Sequence, residues 1–158
     1  MAKVLVIGYG NPLRSDDALG WKACERLSRE VSTQEVDVVC CRDLKPEMAE
    51  QVAGAASVIF IEASTDGMPG QILVEKMSPA DTAPPLYVHH IDPYALLACA
   101  KRVYGRCPEA MLVRVTGECF GFGTDLTPQL TNCLPGIVAR VRTLMSEKTE
   151  RTLAAALD

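Results

Sequence analysis

The chain predicts an α/β fold, a three-layer α/β/α arrangement in which a mainly parallel, twisted sheet of about five strands carries helices on both faces. Three observations lead there. Short, almost wholly apolar runs such as Val4-Leu5-Val6-Ile7, Ser57 to Ile61 and Met111 to Thr116 have the composition of strands buried on both sides. Segments with apolar residues at helical spacing lie between them. Glycine-rich loops follow the first and last of these runs, the places where open α/β sheets bind ligands.

Taken in order, Val4 to Ile7 is the first strand and Gly8 to Ser15 a tight loop. Leu19, Ala23, Leu27 and Val31 then mark one face of a helix. Val36 to Cys40 is a second strand, followed by a short helix over Pro46 to Ala53 and a third, strongly apolar strand over Ala56 to Ala63. Gln71 to Lys76 alternates Ile72 and Val74 with polar residues, the pattern of an edge strand. A proline-rich loop (Pro79, Pro84, Pro85) leads to a helix over Asp92 to Tyr104, with Pro93 in its first turn and Leu96, Leu97, Ala100 and Val103 on one face. Met111 to Thr116 is another buried strand, and Pro128 to Met145 a long closing helix. Residues 146–158 continue it or fray. With no repeat and no linker, residues 1–158 are expected to form a single domain.

At 158 residues, 48% hydrophobic and 23% charged, the chain is long enough to bury a core without disulfides or structural metal. No run approaches the roughly 18 apolar residues of a membrane span, and no signal peptide is evident. A net charge of −4 argues against a nucleic-acid partner, and Lys45, Arg102, Arg106, Arg140 and Arg142 read as solvated surface. The 7 cysteines are odd in number and form no Cys-x-x-Cys pair. Cys40 and Cys41 sit together on a strand, facing opposite ways. Buried free thiols in a reducing cytoplasm account for them, and no neighbouring base marks one as a nucleophile.

The most informative string is Gly8-Tyr9-Gly10-Asn11-Pro12-Leu13-Arg14-Ser15-Asp16-Asp17-Ala18-Leu19-Gly20. It is not a dinucleotide fingerprint. Leu13 holds the third glycine position, and Asp16 and Asp17 would face a pyrophosphate with like charge. Helix capping by Ser15 or Asp16 explains one acidic residue better than two. Further on, Glu62 closes the apolar run of the third strand, so it is either a solvated strand end or functional. If strands one and three are neighbours, Glu62 comes close to Asp17, and such a pair calls for a cation or a shared proton between them. The only two histidines, His89 and His90, precede the Asp92-Pro93 helix start. They are either a surface pair or the source of an imidazole that completes a mixed N/O metal site.

Residues 8 to 20 resemble the opening signature of the hydrogenase maturation proteases, endopeptidases that trim the C-terminal tail from the large subunit of nickel-iron hydrogenases. Their pattern is a strand, a Gly-x-Gly-Asn-x-Leu loop, an acidic pair, a small residue and Gly; Ala18 stands where the family often has glycine. Gly117-Glu118-Cys119-Phe120 to Leu126-Thr127-Pro128 resembles the Gly-Glu-Ser-Phe … Leu-Ser-Pro stretch of one branch, which includes partners of bidirectional, NAD-linked hydrogenases. Cys119 replaces the usual serine. Physically that segment is a glycine-rich loop ending in a Thr127 N-cap with Pro128 at the first helical position, expected at the same end of the sheet as the other loops.

The resemblance spans about residues 3 to 145, its most specific part being the residue 8 to 20 string. It implies that Asp17, Glu62 and His89 are metal ligands, with His90 in reserve. Glu62 stands where aspartate is usual, lengthening the ligand by one methylene. It also implies an aspartic or metallo-type endopeptidase, with Asp17 catalytic and Asp16 as general base or supporting carboxylate. The substrate would be a nickel-loaded [NiFe] hydrogenase large-subunit precursor, and the nickel, seated in that substrate, acts either as a Lewis acid or as an anchor. No His-Glu-x-x-His helix is present, so a zinc-protease mechanism is not supported. The expected setting is the cytoplasm and the expected state a monomer. A nickel chaperone or metal-sensing module using the same ligands is the rival reading from another class.

Overall fold

The computed structural model describes residues 2–82 and 90–158. Its 5-stranded sheet has the order β2-β1-β3-β5-β4, built from β1 (Val4–Tyr9), β2 (Val36–Cys41), β3 (Ser57–Ser64), β4 (Ile72–Met77) and β5 (Glu109–Thr116). β1, β2, β3 and β5 run parallel; β4 is antiparallel to β5 and lies at the edge, as its alternating pattern predicts. The helices are α1 (Leu19–Ser28), α2 (Ala49–Gly54), α3 (Pro93–Tyr104) and α4 (Pro128–Ala156).

The three layers follow from the two-residue period of the strands. Val4 and Val6 of β1, with Ile59, Ile61, Val113 and Val115, face Leu19, Ala23 and Leu27 of α1 and Ile137, Val138, Val141 and Leu144 of α4. Leu5 and Ile7, with Val58, Phe60 and Leu112, face Val52 and Ala53 of α2 and Leu96, Leu97, Cys99 and Ala100 of α3. Cys40 packs toward the first face and Cys41 toward the second, as adjacent strand residues must. The expected three-layer architecture is therefore the observed one.

Several boundaries differ from the sequence expectation. α1 ends at Ser28, before Val31; Leu27 O accepts from both Glu30 N and Val31 N, so the chain turns while Val31 still packs on the core. The Pro46–Met48 part of the second helix is a 3₁₀ turn. α4 runs without interruption to Ala156, so residues past Met145 continue the helix, one of the two expected outcomes. All 7 cysteines are free, but only Cys24 and Cys99 are buried and Cys119 is exposed, so burial does not explain the whole set. Arg106 and Arg142 are exposed, as expected, while donating to Ala55 O and to Glu30. Among the described residues no helix is long and apolar enough to cross a membrane.

The topology fixes where a ligand would sit. From β1 the chain passes over one face through α1 to β2, then over the other face through α2 to β3, on the far side of β1. The connections therefore diverge between β1 and β3, and the crevice opens beyond the carboxyl ends of those strands.

Candidate functional site

The loop after β1 is built from its own backbone. Gly10 has φ +145, and a Cβ there would lie 2.0 Å from Asp17 O, so only glycine lets the loop close on the turn that carries the acidic pair. Asn11 Oδ1 accepts from Leu13 N (3.0 Å), and Asp17 N donates to Arg14 O (3.1 Å). Gly20 brings α1 against the strand ends, where a Cβ would meet Ile61 O at 2.6 Å and Tyr9 N at 2.7 Å. These contacts explain why the motif has glycine at both positions.

Asp16 and Asp17 then part company. Asp16 is fully buried, and its carboxylate accepts from Glu118 N (2.8 Å), Cys119 N (3.0 Å), Thr127 N (2.7 Å) and Thr127 Oγ1 (2.9 Å). Burial by itself would push this carboxyl up; the hydrogen bonds from Thr127, Cys119 and Glu118 outweigh it and hold the group below its ordinary range. Such a carboxylate clamps the glycine-rich loop beneath the first loop, and its full burial sets it apart from the residues that line the open cleft. Thr127, expected as an N-cap, spends its hydroxyl on Asp16 and makes no side-chain cap to α4.

Neither Ser15 nor either aspartate caps α1. Ser15, at φ 49, instead turns its hydroxyl to Gly121 O (2.9 Å). The two loops are further joined by Ser15 N to Gly123 O (3.0 Å), Gly123 N to Leu13 O (3.0 Å) and Arg14 Nε to Phe120 O (3.0 Å).

Asp17 faces the other way. Its Oδ2 accepts from Asn11 N (2.8 Å), and the residue lines an open cleft of about 470 Å³ together with Arg14, Glu62, Ser64, Asp66, Arg114 and Phe120. β1 and β3 are neighbours, so Glu62 does reach the same cleft as Asp17. It is no solvated strand end. Tyr9, Glu62 and Arg114 form a row across β1, β3 and β5 on the α2/α3 face, with Glu62 and Arg114 in register. Tyr9 OH donates to Glu62 Oε2, and Arg114 Nε donates to Glu62 Oε1 at 2.7 Å. Burial, then the Glu62 carboxylate beside it, keep the Tyr9 phenol far above its ordinary value, so it stays a donor. Arg114 Nη1 is also 4.0 Å from Glu75 Oε1, and Glu75 in turn accepts from Tyr94 OH (2.7 Å).

His89 lies outside the described residues. His90 is exposed, and its Nδ1 is 3.4 Å from Asp43 Oδ1 beyond the end of β2; it does not line the cleft. Among the described residues no three His, Cys, Asp or Glu side chains form a metal cage. The donor chemistry present is two carboxylates, Asp17 from the turn after β1 and Glu62 from the carboxyl-terminal part of β3, which suits a borderline or hard divalent cation that brings or finds further ligands. Sequence reasoning missed Tyr9, Arg14 and Arg114. Arg114 had a signal, since a cation between Val113 and Val115 of a buried strand needs a partner.

By sequence alone, no protein-family model and no curated protein matches the chain. Solved structures do, and the fold is that of [NiFe] hydrogenase maturation proteases, the family that residues 8 to 20 resemble. The maturation protease HycI from Thermococcus kodakarensis KOD1 superposes with a TM-score of 0.73 at 19% identity, covering 92% of this chain and 93% of that one. The maturating endopeptidase HybD from E. coli gives a TM-score of 0.65 at 25% identity, over 92% and 93%. A hydrogenase 2 maturation peptidase from Thaumarchaeota archaeon SCGC_AB-539-E09 gives 0.70 at 20%, over 91% and 98%.

Proposed function

We propose that the protein is an endopeptidase that hydrolyses one peptide bond near the C-terminus of a [NiFe] hydrogenase large-subunit precursor and recognises the nickel already seated in that substrate. The observation that carries this reading is the meeting of Asp17, from the turn after β1, and Glu62, from β3, in one cleft between β1 and β3. Neither carboxylate is used as a helix cap. The similarity to hydrogenase maturation endopeptidases, at up to 25% identity, supports the same reading.

Within it, Asp17 and Glu62 face the substrate's nickel, and His89 supplies the imidazole. Asp17 keeps its Oδ1 free of any hydrogen bond among the described residues, so it is the carboxylate best able to bind the cation or take a proton from water at the scissile carbonyl. Asp16 takes no part in proton transfer; it holds the Gly117–Thr127 wall of the cleft in place. Arg14, anchored through Nε to Phe120 O, lines the mouth and is placed to orient a substrate carbonyl or carboxylate.

The test is incubation of substoichiometric protein with nickel-loaded precursor, reading the large-subunit mass. Loss of the C-terminal peptide with multiple turnover is expected, with nickel-free precursor left intact. A nickel chaperone would leave both precursors at full length, and that result would end the protease reading.

A further inference from the structure

The deeper feature of the cleft is the cation that already faces Glu62. Arg114 lies beside it in register on β5, with its side chain 31% exposed and that of Glu62 18% exposed, so the pair is only partly solvated. The same guanidinium lies 4.0 Å from Glu75 on the edge strand β4, beyond a full hydrogen bond but within ion-pair range. Glu75 is itself held by Tyr94 of α3. One planar fork thus stands between two carboxylates, tightly on one and loosely on the other. A guanidinium is permanently charged and presents several donors in fixed geometry, so a small swing about its terminal torsions exchanges one carboxylate for the other.

We propose that Arg114 is a positioning residue, the resident counter-cation of Glu62, which shifts to Glu75 when a divalent cation arrives at Glu62. The inference rests on the reading of Asp17 and Glu62 as metal-recognising carboxylates. Without a cation in the cleft, Arg114 balances the carboxylate pair and, with Tyr9, holds Glu62 in one rotamer. A cation approaching Glu62 repels the guanidinium, and Glu75 receives it without leaving a charge unpaired. Glu62 is suited to this exchange because its one carboxylate meets Tyr9 and Arg114 on two different oxygens. The arrangement favours a cation presented by a docked substrate, whose binding energy adds to that of the ligands, over a free ion that must displace Arg114 unaided.

The experiment is calorimetric titration of the full chain with Cd²⁺ or Ni²⁺ alone, paired with NMR of the arginine Nε–H groups. Arg114→Gln should tighten metal binding on the order of tenfold, because the competing charge is gone. Arg114→Lys, which keeps the charge, should stay near the wild type, separating loss of charge from loss of packing. Glu75→Gln should weaken binding several-fold in the wild type and lose most of that effect in the Arg114→Gln background. The Arg114 Nε–H resonance should move on metal addition. Additive effects of the two substitutions, or weaker binding in Arg114→Gln while its native spectrum is retained, would overturn the exchange, as would absence of metal binding in every variant. The coupling appearing while nickel-loaded precursor stays uncut would sink the protease reading and leave the role of Arg114 standing; cleavage with no coupling would do the reverse.

Discussion

Replacing Asp16 by Asn puts an amide where four donors converge, whereas the same change at Asp17 removes a charge from the cleft wall and leaves an oxygen for Asn11 N. Asp16→Asn should therefore lower stability by about 2–4 kcal/mol, since at least one buried donor loses a charged acceptor. Asp17→Asn should stay within about 0.5 kcal/mol of wild type and abolish processing. Urea unfolding of both variants beside the cleavage assay checks this. Asp17→Asn that cleaves normally would remove Asp17 from the site, and Asp16→Asn of native stability would remove the clamp. The acidic pair was legible in the sequence as a functional feature, but the division of labour was not. Which aspartate turns inward depends on Ser15 adopting φ 49 and on Gly117–Thr127 lying over the loop, a contact across more than a hundred residues that no local pattern encodes. His90 shows the same limit, because its pairing with Asp43 depends on where β2 ends in space.

Among the elements, the strands were read most securely. Their apolar runs admit one interpretation, and the errors are of one or two residues at the ends. α4 shows how packing sets a helix. It carries Pro135 and Gly136 together in its interior, an unfavourable pair that the reading of a helix over Pro128 to Met145 passes through. The helix persists because Leu130, Ile137, Val138, Val141 and Leu144 are buried against the sheet, and because Lys148 is buried against Glu109 of β5, so packing overrides propensity. Pro135 and Gly136 are both exposed, and a Cβ on Gly136 would meet nothing within 4 Å. Gly136→Ala should then raise stability by about 0.5–1 kcal/mol. Pro135→Ala should add about 1–3 kcal/mol by restoring the N–H that Thr131 O lacks. Denaturant midpoints read both; a fall in either would mean that the residue replaced is needed to lay α4 along the sheet.

For the whole molecule, the sequence predicted the three layers because apolar strands alternate with helical segments, and it placed Glu62 near Asp17 only on the condition that β1 and β3 are neighbours, which the strand order meets. It did not show that the two ends of the sheet are each tied by a carboxylate of depressed pKa. At the cleft end, Asp16 lies below its ordinary value because its hydrogen bonds outweigh burial. At the opposite end, Glu109 is lowered first by its hydrogen bond from Lys148 and further by Lys76 and Arg151, against a cost of burial. A carboxyl whose folded pKa lies below its unfolded one binds fewer protons in the native state. Its contribution is complete above the unfolded value, about 4 for both residue types, and is lost as pH falls through the folded value. Urea stability should accordingly be flat in these two groups from pH 7 to about pH 5 and then fall steeply below about pH 4. Asp16→Asn, weaker at pH 7, should show a shallower acid limb than wild type, and Glu109→Gln should do the same independently, because the two sites share no partner. Parallel acid limbs in wild type and both variants would mean that the acid sensitivity lies elsewhere and that neither end of the sheet is held by its hydrogen-bonded carboxylate.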